Sequence, residues 1–294
     1  VATVKKITMK NGKHPDWIKG KISLGKKVQE TDNVLSGLSL NTVCVSAACP
    51  NMGECWAKRH ATFMILGKNC TRACKFCNVS KKNPEKLDNR EPERVAKAVK
   101  KLDLDYAVVT SVTRDDLKDK GTDQFVKTVN LIKKTTPHVP VELLIPDMSA
   151  DEKLLERIAL SGADVIGHNL EIPEKMYTEI RPGSDYKRSL KAISLIKNFS
   201  KNTPVKSAMI IGLGETKKDI LCSMMDLSKA GVDIFYIGQY LSPTRFHWPV
   251  KKYYTPDEFK TIGRIAADMG FRAVCSGPMV RSSYKARETF ESLC

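Results

Sequence analysis

Residues 61 to 77 read Ala61-Thr-Phe-Met-Ile-Leu-Gly-Lys-Asn-Cys70-Thr-Arg-Ala-Cys74-Lys-Phe-Cys77. The apolar run that ends at Gly67 has the length and closure of a buried strand. Three cysteines follow it directly. Downstream, strand-like and helix-like stretches alternate. Helical spacing of apolar residues predicts helices over 92–102, 124–134, 153–160, 186–199, 217–229 and 256–269. Short apolar runs predict strands over 106–111, 141–145, 164–170, 205–211, 233–238 and 272–275. Such alternation implies βαβ connections and a parallel sheet. Six or seven units point to a complete or partial (β/α) barrel, with an open doubly wound sheet as the structural alternative. In a barrel, functional groups gather at the C-terminal ends of the strands. Cys70, just past the first strand, would then stand at the mouth.

Upstream, residues 28–40 can hold one short helix within an extension broken by Pro15, Gly20 and Gly25. The expected organisation is an N-terminal extension over 1–60, a barrel over 61–278 and a short C-terminal segment over 279–294. No stretch approaches the ~20 apolar residues of a membrane span, and Val1 to Ile7 lacks the apolar core of a secretory signal. The formal charge of +16 fits either a lysine-rich solvated surface or an acidic partner. Six of the nine cysteines fall between Cys44 and Cys77. With no secretory signal, this clustering indicates metal or cluster ligation in a reducing compartment rather than a disulfide scaffold.

Cys70, Cys74 and Cys77, spaced x3 and x2, can hold three irons of a cubic [4Fe–4S] cluster. With no fourth ligand nearby, one iron stays open to a small molecule. The alternative is structural zinc, which needs four ligands; Cys74-x2-Cys77 with Cys44-x4-Cys49 would be a loose set. A second cysteine triplet, Cys44, Cys49 and Cys55, has spacings x4 and x5. A second cluster is the economical reading of it.

The Cys-x3-Cys-x2-Cys loop, with Phe76 before its third cysteine, resembles that of the radical-SAM superfamily. The second triplet, set in Ala48-x-Pro50-Asn51 and Glu54 surroundings, resembles that of the lipoyl synthase family. So does Arg281-Ser282-Ser283-Tyr284 near the C-terminus. Blocks at 110–117, 168–171, 181–183, 212–216, 238–241, 256–259 and 276–278 follow in the family's order, so the resemblance covers nearly the whole chain. Lys285 departs from it, where the family has histidine.

The resemblance implies a partial (β/α)6-type barrel, two [4Fe–4S] clusters and S-adenosylmethionine (SAM). Cys70, Cys74 and Cys77 would hold the SAM-binding cluster. Cys44, Cys49, Cys55 and Ser283 would hold an auxiliary cluster, consumed as sulfur donor. Sulfur insertion at C6 and C8 of an octanoyl-lysine on an acidic lipoyl carrier domain is the implied reaction, with an external electron donor. The implied setting is bacterial cytoplasm or mitochondrial matrix, with no nucleic acid partner. Gly212, Gly214 and Glu215 at a strand–helix turn, and Asn169 and Glu171 at a strand end, are candidates for SAM contact; the same residues serve equally as ordinary polar groups of a barrel mouth. Arg114 and Arg181 are candidate carboxylate anchors. His14, His60, His138 and His247 read as surface or packing residues, Cys222 as a core residue, and Cys275 as a core residue near Ser283. The rival functions are another radical-SAM sulfur-inserting or methylthiolating enzyme, and a zinc-stabilised nucleic-acid-binding module.

Overall fold

The structure is a computed structural model that describes residues 14–19 and 25–293. Val1 to Ile7, Gly20 and Cys294 lie outside the described residues. Among the described residues, eight strands form one sheet in strict chain order. They are β1 (Asn41–Thr42), β2 (Ala61–Ile65), β3 (Ala107–Ser111), β4 (Val141–Leu144), β5 (Val165–Gly167), β6 (Val205–Ile211), β7 (Ile234–Gln239) and β8 (Ala273–Gly277). β1 pairs antiparallel with β2, and every later pair is parallel. Sequential order without a reversal is the wrapping of a partial barrel; a doubly wound sheet would change direction at a switch point.

Helices α1 (Lys26–Gly37), α2 (Val43–Ser46) and α3 (Met52–Ala57) precede β2. Six main crossover helices follow: α4 (Glu91–Lys101), α5 (Thr122–Thr135), α6 (Glu152–Ala159), then, after the short α7 (Tyr177–Ile180), α8 (Tyr186–Phe199), α9 (Lys217–Lys229) and α10 (Pro256–Asp268). The starts of the last two are written in the sequence. Thr216 with Asp219 and Thr255 with Glu258 each form a reciprocal capping box, and Pro256 opens α10 where its missing N–H costs nothing. A final helix, α11 (Ala286–Glu291), was not expected.

The period-2 alternation of strands sorts the core into two faces. Ala107, Val109, Leu143, Ile166, Phe235 and Ile237 face the helices in the main apolar cluster. Val108, Val165, Ala208, Ile234 and Tyr236 face the lumen. Val280, Tyr284, Ala286 and Phe290 of the C-terminal segment pack onto that inner face. Arg287 pairs with Asp105 at the foot of β3 at 2.8 Å, and the Tyr236 hydroxyl meets Thr289 Oγ1 at 2.6 Å. The segment after β8 thus runs through the lumen to the β2–β3 side. Deep in the lumen, Lys206 pairs with Glu142 at 2.8 Å, Tyr106 donates to the same carboxylate at 3.0 Å, and the ammonium lies 4.1 Å from the Tyr236 ring centre.

Two sequence readings need correction. The strand expected over 164–170 ends at Gly167, because His168 turns its Nδ1 to the Ile145 carbonyl (2.9 Å) and Glu171 takes a left-handed backbone, φ 69°. Cys222 is half-buried on α9 rather than a core residue.

Candidate metal and cofactor centres

The upstream cysteines are placed by tight local turns. Thr42 caps α2, accepting from Val45 N at 3.3 Å, and this fixes Cys44. Cys49 N donates to Cys44 O (2.9 Å), and Met52 N donates to Cys49 O (3.2 Å). Cys55 lies on α3 and accepts at its carbonyl from His60 N (2.9 Å). The C-terminal segment meets this unit from the other end of the chain: Asn51 Nδ2 donates to Met279 O at 2.7 Å, and Thr62 donates to the Ser283 hydroxyl at 3.0 Å.

The result is a small cavity whose walls include Cys44, Cys49, Cys55, His60, Arg281 and Ser283. Burial, reinforced by the neighbouring thiols, pushes Cys44 up to about 11 and Cys55 to about 12. Cys49 is also raised by burial, with the Arg281 guanidinium opposing. Thiols held this way stay protonated unless a cation replaces the proton, as a coordinating metal does. Three soft sulfur donors and one hydroxyl around a common space fit an iron–sulfur cluster. Among the described residues, no three His, Cys, Asp or Glu side chains converge on a single metal ion.

The Cys70–Cys77 loop is stitched to several mouth segments. Ahead of it, Leu66 turns with φ 69°; Glu91 accepts from its N–H (2.7 Å) and Arg114 donates to its carbonyl (3.2 Å). Cys70 N donates to Ser80 O (2.7 Å), Lys75 N to Ile180 O (2.8 Å) and Trp248 N to Lys75 O (3.0 Å). Cys77 is pushed to about 11 by burial and the adjacent thiols, and Cys74 is raised by burial against the pull of Arg181. Asn78 Nδ2 donates to Ser46 O at 2.9 Å, so the two cysteine segments share a wall.

Beside Cys74, at the end of β5, Asn169 donates to Glu171 (3.0 Å). Burial raises the Glu171 carboxyl. Three buried polar atoms in this region, Asn169 Oδ1, Arg181 Nε and His168 Nε2, have no protein partner. Buried unpaired polar groups are costly, and their grouping in one mouth region fits a polar ligand there.

The turn after β6 is closed on itself: Glu215 accepts from the N–H groups of Gly212 (2.6 Å), Leu213 (2.9 Å) and Gly214 (3.1 Å). At φ 107°, Gly212 backs onto Gln239 and the Lys252 carbonyl, with no room for a Cβ. Arg114 is not an anchor for a carboxylate partner. It is buried and forks onto Asp116 at 2.8 to 3.1 Å. Arg181 is likewise internal, donating to Asn169 O and Leu170 O at 3.2 Å and to Tyr177 at 2.8 Å. His60, read as a packing residue, lines the cysteine cavity. Its one signal in the sequence is its place directly between Cys55 and β2.

Residues 64–227, more than half the chain, match the sequence pattern of the Radical SAM superfamily. The chain belongs to this superfamily. Solved structures with the same fold include methylornithine synthase PylB, with 17% identity over 86% of this chain and 85% of that one, TM-score 0.56. The FeFe-hydrogenase maturase HydG from Carboxydothermus hydrogenoformans shares 13% identity over 90% and 69%, TM-score 0.60. SuiB from Streptococcus suis, solved bound to S-adenosylmethionine, shares 12% over 74% and 50%, TM-score 0.54, so this chain spans half the length of SuiB. At these identities the likeness is one of fold. For a Radical SAM chain, membership implies a [4Fe–4S] cluster and SAM. No described helix is long and apolar enough to cross a membrane.

Proposed function

We propose that this Radical SAM protein is a lipoyl synthase. The observation that carries the reading is the gathering of Ser283, Cys44, Cys49 and Cys55 around one cavity, from opposite ends of the chain. In this reading residues 1–60 carry the auxiliary site, 61–278 form the catalytic barrel and 279–294 supply the serine.

Cys70, Cys74 and Cys77 would hold one [4Fe–4S] cluster, and Cys44, Cys49, Cys55 and Ser283 would hold the other. When bound, the first cluster with SAM supplies a 5′-deoxyadenosyl radical, and the second supplies sulfide. Asn169, Glu171 and the Gly212–Glu215 turn shape the SAM side of the mouth. Glu171 offers its carboxyl to an amine or a ribose hydroxyl, and Asn169 Oδ1 is a free acceptor. Ser283 would hold iron through its side-chain oxygen, toward which the Thr62 hydroxyl donates at 3.0 Å. The half-buried Arg281, close to Cys49, would offset the negative charge of assembled thiolates. Trp248, Lys75 and Leu213 close the mouth by direct bonds, restricting water where a carbon radical must survive.

The substrate is an octanoyl chain in amide linkage to a lysine of a lipoyl carrier domain. In net terms, C–H bonds at C6 and C8 are exchanged for C–S bonds. Attraction of an acidic carrier fits the charge of +16. The deciding assay mixes anaerobically reconstituted protein, SAM, dithionite and an octanoylated lysyl peptide, and reads product mass. A peptide carrying two added sulfurs, from protein holding about eight irons per chain, is the expected result. SAM cleavage without sulfur insertion would overturn the substrate assignment.

A further inference from the structure

Arg72 lies within the cysteine loop, between Cys70 and Cys74, where no ligand role is assigned to it. Its guanidinium spends all five N–H groups on the protein. Nε and NH2 reach the two oxygens of Asp115 at 2.9 and 3.0 Å. NH1 and NH2 reach the two oxygens of Asp147 at 2.8 and 2.8 Å. NH1 also donates to Ser184 Oγ at 3.3 Å. Asp115 follows β3, Asp147 follows β4 and Ser184 precedes α8, so one side chain joins the loop to three other segments of the mouth.

The backbone at both carboxylates is specialised to hold them. Asp115 N donates to Thr71 Oγ1 (3.1 Å), and Thr71 N and Oγ1 both donate to Thr113 O (3.0 Å). Asp147 is fully buried and also accepts from Arg188 Nε (3.1 Å) and Ser149 N (3.0 Å). It directly precedes a run of three non-glycine residues in the left-handed region: Met148 at φ 47°, Ser149 at 56° and Ala150 at 51°. Each such residue costs on the order of 1 kcal/mol. Strain of this kind persists where surrounding contacts over-determine it, and it concentrates at functional sites.

We propose that Arg72 is the positioning residue of the SAM-binding cluster, clamping the Cys70–Cys77 loop across the ends of β3 and β4 through paired forks to Asp115 and Asp147. Arg72 touches neither iron nor SAM in this role. It sets where the three sulfurs stand relative to the strand ends that receive SAM. A lysine cannot reproduce it, because a point charge cannot make two bidentate contacts at once. The proposal rests on the assignment of Cys70, Cys74 and Cys77 made above, and is independent of the substrate.

The test uses full-length, reconstituted wild type, R72M, R72K, D115N and C74A. Each is reduced with dithionite, and the EPR signal is recorded with and without SAM alongside iron content. C74A should lose the SAM-responsive signal; if it keeps that signal, the ligand assignment itself is wrong. R72M should lower the SAM-responsive signal or raise the KM for SAM by about 10- to 100-fold, the usual cost of removing an outer-shell partner. Iron at Cys44, Cys49 and Cys55 should stay bound. R72K should fold and bind iron but recover only part of the SAM response, and D115N should fall between R72K and wild type. Should R72M not fold, R72K and D115N decide. A line shape, SAM response and KM equal to wild type in R72K and D115N, or in a folded R72M, overturns the proposal.

Discussion

The Thr62 hydroxyl donates to the Ser283 hydroxyl at 3.0 Å, joining the second residue of β2 to the C-terminal segment. Ser283 is therefore held by the barrel wall, not by its own local turn. Thr62→Val keeps the shape and removes the donor. The expected cost is about 1 kcal/mol of stability and, on the proposed function, about a 10-fold loss in sulfur insertion, with SAM cleavage little changed. Ser283→Ala goes further: 5′-deoxyadenosine should still form while dithiolated product disappears. Full product yield from Ser283→Ala would remove the serine from the site.

The turn after β6 should be intolerant at two points. Gly212→Ala places a Cβ within 2.5 Å of the Lys252 carbonyl and into Gln239, on a backbone at φ 107°. Several kcal/mol of destabilisation follows from strain and overlap together. Glu215→Gln is milder: its one amide oxygen can still accept from Leu213 and Gly214, but the NH2 then faces the Gly212 N–H and charge assistance is lost, so a loss of roughly 1–3 kcal/mol is expected. Urea unfolding checks both. A neutral Gly212→Ala would show that the turn can shift freely.

His168 gives the fold a dependence on pH. Burial, helped by Arg181, brings its imidazole down to about 4 from the ordinary 6.5, while Asp147 and the Ile145 carbonyl oppose. The unfolded chain thus binds the extra proton first as pH falls. The contribution of a neutral His168 is complete above pH 6.5 and is lost as pH falls through about 4. Between pH 8 and pH 5 the loss is about 2 kcal/mol. His168→Gln should flatten that part of the urea-midpoint profile, measured side by side with wild type. An unchanged slope in the variant would assign the dependence to other groups.

Regular periodicity made the barrel legible. The helices expected over 186–199 and 217–229, and the strand over 205–211, coincide with α8, α9 and β6. Their apolar spacing is long and uninterrupted. The short spacings of Cys44, Cys49 and Cys55 made their meeting around one cavity legible, while Ser283, which lines the same cavity, lies more than 200 residues away. Non-local features were not legible. Nothing local says that residues 280–290 thread the lumen, since only sheet closure brings Val280 and Phe290 against Tyr236 and Tyr106. Arg72 carries no pattern of its own; its partners, Asp115 and Asp147, lie 43 and 75 residues away. Arg114 had the composition of a ligand anchor but is used internally by Asp116.

The Lys206–Glu142 pair in the lumen offers a test of stability separated from chemistry. Both residues are the second of their strands, so they lie toward the end opposite the Cys70–Cys77 loop. Each side chain is only 3% exposed. Coulombic attraction in such a place is largely offset by desolvation, so the pair as a whole adds little, but half of it is costly. Lys206→Met leaves the Glu142 carboxylate with Tyr106 as its hydrogen-bond donor and should cost about 3–5 kcal/mol. Adding Glu142→Gln removes the stranded charge while keeping an acceptor for the Tyr106 hydroxyl, so the double variant should regain much of the loss. Urea midpoints would show this as strong non-additivity. SAM cleavage per folded molecule should stay at wild-type level in both, because the mouth is built from the other ends of these strands. A double variant less stable than Lys206→Met would mean that the charges themselves organise the lumen.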